Sequence, residues 1–209
     1  FGDGTTSSEQ HPVHTYAESG IFTVTLTVTN DAASDTRTES NYIVVHALPE
    51  AEFEVEPTSG LAPLTVACTD MSEPNGSVIT HWVWDFGDGT TSTQQNPQHE
   101  YGIPGLYTIS LTVTTEAGSD TETKEDVVEA GTLADADFTA SPTWGLAPLT
   151  VFFTDISTPG SAEITGWSWD FGDGTTSTEQ NPVHTYQQVD AYSVSLTVTT
   201  RWGSNIETK

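Results

Sequence analysis

The chain has 209 residues, 30 of them acidic and only four basic (Arg37, Lys124, Arg201, Lys209), for a formal charge of −26. This excludes a nucleic-acid partner, which needs lysine and arginine against its phosphates, and an anionic membrane surface for the same reason. Hydrophobic residues are 34% of the chain and fall in short alternating runs, which favours folded β domains over disorder; no apolar run is long enough for direct membrane insertion.

Phe-Gly-Asp-Gly-Thr-Thr-Ser begins at Phe1, Phe86 and Phe171, a constant step of 85 residues, and Leu-Thr-Val-Thr keeps the same step from Leu26, Leu111 and Leu196. The chain is therefore a tandem array of one unit. Residues 1–47 read as the back half of a repeat, 50–130 as a complete repeat, and 134–209 as a repeat without its last strand. The open edge is expected to reflect a longer parent chain, or to accept a strand from a neighbouring molecule.

In the complete copy, Phe53 and Val55 alternate with Glu52, Glu54 and Glu56, which predicts a half-buried strand. Pro57 to Pro63 reads as a turn, and Leu64, Val66 and Cys68 form the next inward face. After a polar loop at 72–77, Trp82, Trp84 and Phe86 alternate with His81, Val83 and Asp85, and Gly87-Asp88-Gly89 makes a hairpin-type turn. Tyr107 to Thr114 sets four inward apolar side chains against four outward hydroxyls, and 119–130 supplies the closing strand. About seven short strands without helical periodicity predict an all-β fold, an antiparallel β-sandwich. The linkers, 47–50 and 131–134, are short and lack Gly/Ser runs, so the repeats should form a semi-stiff string.

Trp84-Asp85-Phe86-Gly87-Asp88-Gly89, then Asn96-Pro97, His99, Tyr101 and Gly105-Leu106-Tyr107, closely resembles the PKD (polycystic kidney disease) domain. Trp169 to Gly174, Asn181-Pro182, His184 and Tyr186 carry the same match, as do the Pro-Thr-x-Gly-Leu-Ala-Pro-Leu-Thr-Val stretches at Pro57 and Pro142. Val189-Asp190-Ala191-Tyr192 departs from the pattern where a glycine usually precedes the aromatic. The resemblance implies tandem immunoglobulin-like sandwiches in an extracellular protein. Such repeats occur in animal polycystins, in bacterial collagenases and chitinases, and in archaeal surface-layer and adhesive proteins, the group this acidic array most resembles.

Asp85 and Asp88, Asp170 and Asp173, with Asp70 and Asp155, are candidate Ca²⁺ ligands, although aspartates in Gly-rich turns more often cap backbone N–H groups. Each repeat offers one His-x-Tyr pair (His14/Tyr16, His99/Tyr101, His184/Tyr186), too few ligands for zinc and suited to structural hydrogen bonds. No catalytic constellation can be assembled, and no cofactor is required. Cys68 occupies an apolar position and has no disulfide partner; Asn75-Gly76-Ser77 is a candidate glycosylation sequon. Trp144 and Trp202 fall outside the core pattern, as candidate contacts for a glycan or partner, or for an adjoining domain. The reading is a non-catalytic cell-surface spacer that binds proteins or copies of itself through sandwich edges. The alternative is a carbohydrate- or protein-binding accessory module of a secreted hydrolase.

Overall fold

The computed structural model describes residues 1–209, and all 17 of its regular elements are β-strands. Period-two alternation of threonine with apolar residues gives each segment one face to bury and one to solvate, and leaves no stripe for a helix to pack. Residue packing divides the chain into two compact units. One comprises Phe1–Glu54, Cys68–Pro97 and Ile109–Lys124; the other comprises Val55–Ala67, Gln98–Thr108 and Glu125–Lys209. The middle repeat contributes to both.

The first unit opens with a hairpin of β1 (Gly20–Thr29) and β2 (Ser34–Val45). Asn30 Oδ1 closes its turn by accepting from the amides of Ala32 and Ala33, and Thr25 faces Thr38 and Thr27 faces Thr36 in hydroxyl pairs across the strands. The middle repeat supplies β3 (Phe53–Glu56), β4 (Ser59–Leu61), β5 (Leu64–Asp70), β6 (His81–Asp85), β7 (Thr91–Ser92), β8 (Gln98–Tyr101), β9 (Gly105–Thr115) and β10 (Gly118–Gly131). They form two sheets, in the orders β3-β5-β8 and β4-β10-β9-β6-β7. Along β6, Trp84 is fully buried, Trp82 half-buried and Val83 exposed, as the alternation requires.

The expected turn at Pro57–Pro63 is more than a turn. Its middle is β4, which pairs in parallel with the end of β10, Ser59 to Glu129 and Leu61 to Gly131. Three residues between prolines carry no alternation, so only the distant partner makes them a strand. This pairing makes the sheet mixed rather than purely antiparallel.

In the second unit the third repeat is complete enough to show its core. β11 (Phe138–Ser141), β12 (Leu149–Asp155) and β15 (Val183–Tyr186) form one sheet; β13 (Gly166–Asp170), β14 (Thr176–Ser177), β16 (Ser195–Thr200) and β17 (Gly203–Thr208) form the other. Phe138, Val151, Phe153, Trp169, Phe171, Leu196 and Val198 pack into one apolar cluster. β9 begins at Gly105 whereas β16 begins only at Ser195, five positions later in the repeat. The ladder of β16 with β17 ends where Val194 and Lys209 exchange two backbone hydrogen bonds at 2.9 Å, so the glycine-free stretch Val189–Tyr192 lies beyond the end of that ladder.

Candidate functional site

The conserved-step motifs converge on one knot. In the third repeat Asp173 Oδ1 accepts from the amide and hydroxyl of Thr175 at 3.0 and 2.5 Å, and Oδ2 accepts from His184 Nε2 at 2.7 Å. The His184 ring stacks on Phe171 at 4.3 Å, and Tyr186 meets His184 edge-on while its hydroxyl donates to Phe171 O at 3.0 Å. The first repeat repeats the arrangement: Asp3 with Thr5 and His14, Phe1 on His14, and Tyr16 onto Phe1 O. Burial pushes Asp173 up, but hydrogen bonds from Thr175 and His184 outweigh it and hold the carboxyl below its ordinary value. Tyr186 is pushed up to about 12 by burial and by the nearby Asp173 charge. Tyr186 therefore stays protonated and Asp173 ionised near neutral pH, with both carboxylate oxygens engaged inside the repeat.

The other candidate calcium ligands are also engaged. Asp85 and Asp170 each accept from the amide two residues on, of Gly87 and Gly172, at 2.9 Å, and Asp88 accepts from Thr90. Asp155 is a hub: it accepts from Ser157 N, Trp167 Nε1 at 2.7 Å and Gln180 Nε2 at 3.0 Å, and Asn181 caps its amide. Asp70 makes the same set with Ser72, Trp82, Gln95 and Asn96. No group of three or more His, Cys, Asp or Glu side chains is placed to hold a metal ion. The Asp-to-Trp and Asp-to-Gln links lie beyond what local sequence reading finds.

Asn75 is exposed at φ 49°, and its Nδ2 donates to Leu48 O. Cys68 is buried and its thiol is pushed up to about 11 by burial, as an inert core residue. Trp144 is 85% exposed. It borders a groove of about 490 Å³ whose floor includes Phe138, Leu149, Phe153 and Val194. In the middle repeat the equivalent of residues 144–146 is β4, paired with β10; in the third repeat these residues form no strand. Trp202, by contrast, is half-buried against Gly131.

All four cations are paired with a carboxylate: Arg37 with Glu39, Lys124 with Glu52, Arg201 with Glu129 and Lys209 with Asp137. Lys124 and Lys209 also lie over the rings of Phe53 and Phe138, equivalent positions of two repeats. What remains on the surface is overwhelmingly anionic.

This charge has a pH consequence of predictable sign. Glu52 and Asp137 are lowered by their lysine hydrogen bonds, while at Asp70, Asp155 and Asp173 burial acts upward but is outweighed by hydrogen bonding. Each depressed group contributes stability that is complete above the unfolded value, near 4, and is lost as pH falls through the lower folded value. Relief of anionic self-repulsion acts oppositely between neutral pH and about 5, and salt screens it. In high salt, Tm is therefore expected to stay level down to about pH 4 and then fall. At low salt it should first rise on acidification, and thermal melts across that range check both limbs.

Both linkers are pinned to the repeat that follows them. Glu50 exchanges two backbone hydrogen bonds with Glu73, as does the equivalent Asp135 with Thr158, all at 2.9 Å. Leu48 packs over Gly118 and Leu133 over Gly203, and the amides of Ala51 and Ala136 are capped by Asp120 and Asn205.

The PKD domain family model matches residues 1–45, 46–130 and 139–209. A microbial collagenase of Vibrio alginolyticus is 46% identical over 55 residues, which is 26% of this chain and 7% of that protein. Human polycystin-1 is 29% identical over 198 residues, 91% of this chain and 4% of the relative. The crystal structure of the PKD1 domain from the Vibrio cholerae metalloprotease PrtV is 33% identical, covering 40% of this chain and 98% of that domain at a TM-score of 0.35. The chain thus spans a small part of the curated relatives it matches. Three successive matches, with the Trp-Asp-Phe-Gly-Asp-Gly turn and the His-x-Tyr strand joined in one knot, make this chain a member of the PKD domain family.

Proposed function

We propose that this chain is a non-catalytic extracellular spacer, a series of β-sandwiches that holds other parts of a cell-surface or secreted protein apart. The observation that carries this is the pinning of each linker to its downstream repeat by the same set of contacts, a device for transmitting orientation and load along the chain. Every chemically suggestive side chain in the repeated motif is committed to holding the repeat itself. The anionic surface keeps such arrays soluble and gathers cations. Proteins, or copies of this chain, are the partners this reading favours, engaged through sandwich edges such as the groove beside Trp144.

A second reading, a glycan- or protein-binding accessory module, rests on one observation, the exposed indole of Trp144 beside that groove. A glycan binding screen of the full chain separates the two. The spacer reading expects no glycan binding that Trp144→Ala abolishes; micromolar glycan binding lost on that substitution would overturn it. Calcium is not required on this account. Melts in EDTA and in excess Ca²⁺ should coincide, whereas saturation of a specific site at 100 times its Kd would add about 2.7 kcal/mol and raise Tm.

A further inference from the structure

The two joints of the array share a backbone plan. Thr115 and Thr200, both buried, close equivalent turns by accepting from the amides of Ala117 and Trp202 and donating to Gly118 O and Gly203 O. Each turn sits beside its linker leucine. The first joint lies within the first compact unit and the second within the second.

The side chains differ in a correlated way. At the second joint the Trp202 ring lies over Gly131, the last residue of β10: a Cβ built there would be 2.2 Å from Trp202 Cε2, so only glycine leaves room. The Arg201 guanidinium stands 4.7 Å from the centre of the indole and is ion-paired with Glu129, two residues before that glycine. Glu129, Arg201, Trp202 and Gly131 thus form a closed clasp from the end of one repeat to the turn of the next. At the first joint the same four positions are Val44, Glu116, Ala117 and His46. All four differ together. The large side chain and the space for it are both gone, a valine–glutamate pair forms no ion pair, and His46 instead reaches Gly76 O at 3.1 Å.

We propose that the turn bearing Arg201 and Trp202 is a docking surface for an upstream repeat ending in Glu-x-Gly, and that it locks the second joint while the first lacks this lock. The inference rests on the spacer reading and makes it specific. Linker pinning fixes the downstream side of both joints, so the pivot lies on the upstream side, at the end of the preceding strand. Trp202 and Arg201 bridge that pivot only at the second joint, with a flat ring on glycine and a planar cation stacked on the ring. The indole Nε1 is buried there without a hydrogen-bond partner. The contact is therefore one of shape and stacking, and neighbouring repeats are matched by size complementarity.

¹⁵N relaxation of the full chain tests this. Amides of the middle and third repeats are expected to report one shared correlation time in the wild type. Trp202→Ala should separate them, as should Gly131→Ala, although it adds one methyl where backbone φ is ordinary. Trp202→Phe should keep them together, since it retains a ring and removes the orphaned N–H. Writing the first joint's residues into the second, Gly131→His with Trp202→Ala, should separate them while leaving the amide dispersion of β13 and β16 intact. Separate correlation times in the wild type, or coupling unchanged in Trp202→Ala with the repeats folded, would overturn the proposal. Glycan binding in the screen above would remove the spacer reading and leave this result standing.

Discussion

Trp169→Ala is expected to destabilise the third repeat by about 3–5 kcal/mol, close to the whole stability of a small domain. The ring is fully buried, meets Phe138 edge-on at 5.1 Å and lies 5.4 Å from Phe153, so it joins the two sheets of the repeat. Its Nε1 donates to Glu179 O at 2.9 Å, anchoring the loop ahead of β15. Truncation removes the largest fully buried side chain of that cluster and leaves a cavity the surrounding strands cannot close. Trp169→Phe separates the terms: the aromatic contact survives and the Glu179 carbonyl is orphaned, for a smaller loss of about 1–3 kcal/mol. Urea denaturation followed by the third repeat's amide signals reads both, and a loss under 1 kcal/mol for the alanine variant would show that the ring does not join the sheets.

Gly172→Ala is expected to cost about 2–4 kcal/mol, far more than adding one methyl to a surface turn normally does. Gly172 has φ 77°, and a Cβ there would fall 2.4 Å from Ser193 O, a backbone atom that cannot swing aside. Gly2 of the first repeat shows the same close approach to Thr23 O. Gly174, two residues on, provides the control. Its φ of 88° also favours glycine, yet nothing lies within 4 Å of its Cβ position, so Gly174→Ala should cost only about 1–2 kcal/mol. Equal losses at the two positions in thermal melts would assign the whole effect to φ and none to the backbone approach.

The fold was legible wherever physics is local. Alternation along Tyr107–Thr114 marks a half-buried strand, and the structure buries Ile109, Leu111 and Val113 there. β4 was not legible, because its three residues become a strand only through parallel pairing with β10, some 70 residues away. The aspartates divide in the same way. Asp85 and Asp170 cap amides two residues on, which a Gly-rich turn announces, whereas the Asp155 hub depends on Trp167 and Gln180, 12 and 25 residues distant. A signal for the Asp–His knot did exist: Asp3 and His14, Asp88 and His99, and Asp173 and His184 are each 11 residues apart. Trp202 shows what a single position hides. Alone it is an extra aromatic outside the core pattern; compared jointly with Gly131 across the repeat, against Ala117 and His46, it is one half of a size-matched pair.

Single-molecule extension of the full chain between its ends bears most directly on the claim that these repeats carry load. The complete middle repeat is expected to unfold in one discrete step that releases close to 280 Å of contour, about 3.5 Å for each of roughly 80 residues. Smooth lengthening at low force, with no such step, would contradict the account of this chain as a spacer.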